Sequence, residues 1–190
     1  MKKQLFLVFI FFSTMCFAQN NAHLPYYEIP TYNEEYTPQS VASRMVDALG
    51  FRYYWASFEL TEEDLAYKIS EESRSCQETV IHIYDLTNMM LRLTKTEFKQ
   101  QKEKSEMSFN EMRSQTLLNI QALSKTVEES KDLAEFDIKK DGKTTIFFYN
   151  SINGPIADAI WHTGQLAVFR RASGNPINAK IDHFSGKIRE

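Results

Sequence analysis

In the run Asp158-Ala159-Ile160-Trp161-His162 a carboxylate and an imidazole stand four residues apart. On a helix that spacing puts both side chains on one face, one turn apart, with Cβ atoms about 5 to 6 Å from each other, so that both can reach a single ion. His82 lies among Val80, Ile81 and Ile83, on a second apolar-faced segment that must pack into the same core, and it can supply a third ligand from the facing side. Two imidazoles and one carboxylate leave coordination positions open for water or substrate, which a catalytic site needs and a closed structural site does not. The donor set excludes a thiolate-type centre. It suits a divalent Zn, Ni, Fe, Co or Mn ion, and the affinity order alone does not choose among them.

The same residues have an ordinary reading. A histidine on an apolar helix face is more often a hydrogen-bonded core residue than a ligand, and Asp-His at i, i+4 is a common helical pair, so spacing alone leaves both readings open. Gln165, three residues beyond His162, can orient a ligand or a bound water or make an ordinary polar contact. Asp85 stands in the same relation to His82, with solvent as its alternative. Arg170 and Arg171 close the last helix, where cations complement the helix dipole; contact with an anionic substrate is the less common use. His23 and His183 lie near the chain ends and read as solvated. Cys76 has no basic neighbour in Ser75-Cys76-Gln77-Glu78 to lower its pKa, and reads as a small residue in a helix's first turn.

The elements that must position these residues carry strong start signals. Thr37-Pro38 is an N-cap followed by proline at the first helical position, and Val41, Met45, Ala48, Leu49, Tyr53 and Ala56 follow at helical spacing. Thr61-Glu62-Glu63-Asp64, Ser75-Cys76-Gln77-Glu78 and Ser108-Phe109-Asn110-Glu111 are three capping boxes. They predict a short helical turn, a helix to about Thr94 that carries His82, and a helix through Val127. The charged link from Lys95 to Glu106 reads as solvated. Glu135 to Ile138 and Thr144 to Tyr149 flank Asp141-Gly142, a hairpin signal. Gly154-Pro155 opens the last helix, which Gly174 ends as a C-cap glycine. The expected fold is mainly α, a four-helix bundle over residues 37–175 with a small β-hairpin inserted before the last helix. Residues 19–36 form an extended lead-in and 176–190 a tail.

At Glu78-Thr79-Val80-Ile81-His82-Ile83 and His162-Thr163-Gly164-Gln165 the chain resembles the DinB/YfiT-like family, over roughly residues 38–174. The resemblance implies a four-helix bundle with a three-ligand divalent-metal site, one ligand from the second long helix and two at i, i+4 on the last. Position by position His82, Asp158 and His162 take those places. The family pattern commonly has histidine where this chain has Asp158, so the site carries one more negative charge. That charge favours a harder ion or marks a loss of binding. Members of the family include transferases that use low-molecular-weight thiols.

Met1-Lys2-Lys3, an apolar run from Leu5 to Phe12 and the small-residue exit Cys16-Phe17-Ala18 read as a signal peptide, cleaved after Ala18. Lipidation at Cys16 is the minor alternative. The apolar run is too short for a stable membrane span, which takes about 20 residues. The mature chain is then an exported protein, periplasmic or extracellular, of 172 of the 190 residues, a length that suits one domain. Losing Lys2 and Lys3 takes the formal charge from −3 to −5, which argues against a nucleic-acid partner. Cys76 is then the sole cysteine, so no internal disulfide can form. Absence of a Gly-rich phosphate loop, a GxSxG elbow and a CxxC pair leaves nucleotide-dependent and serine-hydrolase chemistry unsupported. The sequence expectation is a metal-dependent enzyme acting on a small molecule, hydrolytic or thiol-transferring, with a non-enzymatic metal-dependent binding or structural module as the alternative. Pairing of two copies through helix faces stays open.

Overall fold

Four hydroxyl side chains start four helices. The Thr37 and Ser75 hydroxyls accept from the N–H of Ser40 and Glu78, and those of Thr61 and Ser108 from Asp64 and Glu111. In each case the residue three positions on returns a bond to the cap's own N–H. Each such cap stabilises its helix by about 1 kcal/mol. The helices are α1 (Pro38–Ala56), α2 (Glu62–Ala66), α3 (Cys76–Leu93) and α4 (Phe109–Glu129). The computed structural model describes residues 24–98 and 102–190; the expected signal peptide with Cys16, and His23, lie outside them.

Beyond α4, Asp141 and Gly142 both take positive φ, the backbone of a two-residue hairpin turn, and join β1 (Ile138–Lys140) antiparallel to β2 (Lys143–Ile146). The strands are shorter than the alternation predicts. Leu133–Phe136 is a 3₁₀ turn, and the helical chain resumes at α5 (Phe148–Ser151) because side chains satisfy its first donors. Asn150 Oδ1 accepts from Phe147 N–H and Asp137 Oδ1 from Phe148 N–H, both at 2.9 Å. A wide π-helical turn over Ile152–Ile156 breaks at Gly154, whose φ and ψ are not helical, and leads directly into α6 (Ala157–Ala172), so Gly154-Pro155 marks the opening of the last helical run, as expected.

The long helices pack α1 on α4 and α6, and α3 on α4 and α6. The core between them holds Leu49 and Tyr53 of α1, Ile83 and Met90 of α3, Leu117 and Ile120 of α4, and Leu166 of α6. The molecule is thus mainly helical with a small antiparallel strand pair ahead of the last long helix. On α1 the buried face runs through Val46, Leu49 and Tyr53, while Val41 and Met45 are exposed.

The segment read as a tail is more ordered than expected. β3 (Ile181–Asp182) pairs antiparallel with β4 (Lys187–Ile188), and the lead-in crosses it where Ile29 N–H donates to the Gly186 carbonyl at 2.9 Å. Gly186 has φ +71°, and a Cβ there would lie 2.0 Å from Ile29 Cγ2, so only glycine fits the crossing. Among the described residues no helix is long and apolar enough to cross a membrane.

Candidate metal centre

His82 sits in the middle of α3, at the border of the face that Val80, Ile83 and Thr87 bury. Asp158 and His162 occupy the first two turns of α6, which packs against α3. The π-helical turn before α6 also packs on α3 and contains Gly154 at φ −92°, ψ −105° with Pro155 after it. The kink at Gly154 sets the direction and rotation with which α6 leaves, and Asp158 and His162 lie on its first two turns.

The structure brings the three expected ligands together. Asp158 stands between the two imidazoles, with Oδ2 3.4 Å from His82 Nε2 and Oδ1 3.4 Å from His162 Nε2. The rings meet edge to face with centroids 4.5 Å apart. One donor atom from each residue lies within 4.8 Å of the other two, so the group can hold a metal ion. Both 3.4 Å separations exceed the roughly 2.7–2.9 Å of a charge-assisted hydrogen bond. Ligands about 2.0–2.1 Å from a shared ion at tetrahedral angles lie about 3.4 Å apart; here each imidazole has that spacing to a different oxygen of Asp158, so the carboxylate bridges the two rings without one oxygen yet facing both.

The side chains are graded in exposure, 13% for His162, 27% for His82 and 42% for Asp158. The carboxylate therefore marks the mouth of the site and the His162 imidazole its floor. Gln165 Oε1 lies 2.8 Å from His162 Nδ1. With the amide oxygen accepting, Nδ1 carries the proton and Nε2 keeps its lone pair toward Asp158, the tautomer a ligand needs. Asp85 does not join the group; its carboxylate pairs with Lys104 Nζ at 2.9 Å. Trp161 is 74% exposed beside Asp158 on α6, an aromatic surface open to solvent.

The other candidates have different roles. Arg170 is buried and donates to the carbonyls of Trp55 and Phe58 at the end of α1 and to the Asn175 carbonyl, at 2.7, 3.0 and 2.6 Å. It ties two helix ends together and is no anion receptor, whereas Arg171 is exposed. Cys76 is fully buried at the start of α3, and burial pushes its thiol up to about 12, which makes it unreactive at neutral pH. His183 is exposed but its ring meets the Phe51 edge at 5.8 Å. Sequence reasoning missed a buried polar group in which Asn119 Nδ2 donates to Thr87 Oγ1 and Asn88 Oδ1 while Gln115 donates to Asn119 Oδ1. Residues of these types look like surface residues in a sequence.

Comparisons with protein-family models, with curated proteins and with solved structures found no match for this chain.

Proposed function

We propose that the chain is an exported, DinB/YfiT-like four-helix bundle that binds a divalent ion through His82, Asp158 and His162 and uses it in an enzymatic reaction on a small molecule. The observation that carries the reading is the convergence of one donor atom from each of His82, Asp158 and His162 within 4.8 Å of the other two, with Asp158 3.4 Å from both imidazoles, longer than a direct hydrogen bond. The Gln165 contact to His162 Nδ1 supports it by leaving Nε2 free to ligate. Three protein donors leave positions for solvent or substrate, and the 42% exposure of Asp158 puts those positions at the surface.

A divalent ion held there supplies Lewis acidity to a bound substrate or nucleophile. The protein's own part is separate. His82 and His162 fix the ion from two helices, Gln165 sets the tautomer of His162, and Asp158 offsets one unit of the ion's charge. That carboxylate makes the centre harder than a three-histidine set and suits Fe, Mn or Zn. A hydrolytic reaction fits an exported protein better than transfer from a cytoplasmic thiol.

The same Asp158 favours a second reading, a binding module whose ion holds a ligand without turning it over. Elemental analysis of the protein purified from its exported location tests the shared premise. About one ion per chain is expected, with His162→Ala reducing it to background while the far-UV circular dichroism is unchanged. Unchanged metal content in that variant would sink both readings. Turnover of any member of a panel of small esters and thiols by the metal-loaded protein selects the enzyme, and saturable binding without turnover selects the module.

A further inference from the structure

We infer a second binding site on the opposite side of α6, one that takes a small monocarboxylate with an apolar tail. His162 and Gly164 project from α6 roughly 200° apart, so this site does not share the metal centre's face and rests on none of its ligands. It is a cavity of about 310 Å³ between α1, α6 and the C-terminal segment, near the lower end of the range for small-molecule sites. Its lining is apolar at Ala56, Ile160, Ala167 and Ile177 and also carries Arg52 and His183.

Two observations point to the ligand's chemistry. Arg52 is half-buried and donates through Nη1 to the Ala48 carbonyl at 3.1 Å. Among the described residues no carboxylate lies within ion-pair distance of it. A guanidinium in a largely apolar lining, with donors to spare, is complementary to a carboxylate that brings its own apolar surface. His183 adds a second donor. Asp182, the acid next to it, is engaged with Arg189 and with the Phe184 N–H. Partial burial and the charge of Arg52 hold the His183 imidazole below its usual range against the opposing charge of Asp182, so an arriving anion meets one fixed cation and one group it can help to protonate.

Gly164 supplies the second observation. It lies within α6 with no positive φ, and a Cβ added there would meet nothing within 4 Å. Glycine is the poorest helix former after proline, and no packing contact in the fold requires it at this position. Its absent side chain instead leaves the wall of the cavity open.

Titration of the purified protein with sodium octanoate, by calorimetry and by the His183 ring signals in NMR, tests the site. Saturable binding is expected, with shifts at His183. Octan-1-ol, which lacks the charge, should bind at least about tenfold more weakly, the scale of one lost charge-assisted contact, and acetate, which lacks the tail, at least about tenfold more weakly through lost burial of its methylenes. Gly164→Leu, which fills the cavity from an exposed helix position, and Arg52→Gln should each weaken octanoate about tenfold with circular dichroism unchanged. Chelation of divalent ions should leave binding intact. Octan-1-ol binding as tightly as octanoate, absence of saturation, retention of affinity in both variants, or loss of binding on chelation would each overturn the proposal.

Discussion

The His82 and His162 rings meet edge to face at 4.5 Å between centroids, one from each of two packed helices. Neither imidazole donates to the other, and Asp158 lies 3.4 Å from both. Local helix stability gains little from such a pair, so metal should be the larger contributor. An ion at about a hundredfold excess over its dissociation constant stabilises the folded state by about 2.7 kcal/mol, or about 5 to 10 °C in Tm for a chain of this size. A thermal melt with and without ZnSO₄ or MnCl₂ should show that shift, and His82→Ala should abolish it.

Gln165→Leu should separate ligand positioning from ligation. The substitution leaves all three ligands in place and removes the acceptor for His162 Nδ1, so metal affinity should fall about 10- to 100-fold. Competition against a chelating dye measures this directly. An affinity equal to wild type would show that Gln165 makes an ordinary contact.

Arg170→Met should destabilise the fold by about 3 kcal/mol or more, because it strands the carbonyls of Trp55, Phe58 and Asn175 in a buried place. Arg170→Lys should recover only part of the loss, since one ammonium cannot span the acceptors that the planar fork reaches. Urea unfolding of the two variants checks both statements.

Asp64 predicts how stability responds to acid. Burial works to raise its pKa, but bonds from Ser173, Thr61 and Asn175 outweigh it and hold the carboxyl below its usual range. A depressed folded-state pKa means that the unfolded chain binds the proton first, so this contribution is complete above the unfolded value of about 4 and is lost as pH falls through the folded one. Asp64→Asn should therefore flatten the acid limb of urea midpoints measured between about pH 2 and 6.

Gly50 sits inside α1 against the Tyr26 ring, where an added Cβ would lie 2.5 Å from Cδ2. Alanine would gain about 1 kcal/mol in helix propensity, yet the overlap costs about 1 to 3 kcal/mol, so Gly50→Ala should be net destabilising. In a Tyr26→Ala background the same change should become stabilising. The sign reversal, read from denaturant midpoints, distinguishes the clash from any backbone effect.

These cases show which parts were legible in the sequence. Thr61, Ser75 and Ser108 announce their helices because a capping box is a local bargain between residues three apart. Asp158 and His162 could be placed on one face for the same reason, through helical periodicity. What brings His82 opposite them is the packing of α3 on α6, and no local pattern encodes the relative slide of two helices. Phe148 reads as strand by composition and is helical because Asp137, brought back across the hairpin from eleven residues earlier, satisfies its N–H. Arg170 and Asn119 were illegible as core residues, since what makes them so is the set of acceptors that only the folded chain assembles.

The π-helical turn at Ile152–Ile156 gives the site a phase. Each residue added to or removed from a helix swings everything after it by about 100°, so deleting one residue here would rotate Asp158 and His162 off the seam with α3 and carry the buried Leu166 and Phe169 of α6 out of the core with them. The length of this short stretch is therefore held by two demands at once, the inward face of α6 and the meeting of His82 with Asp158 and His162.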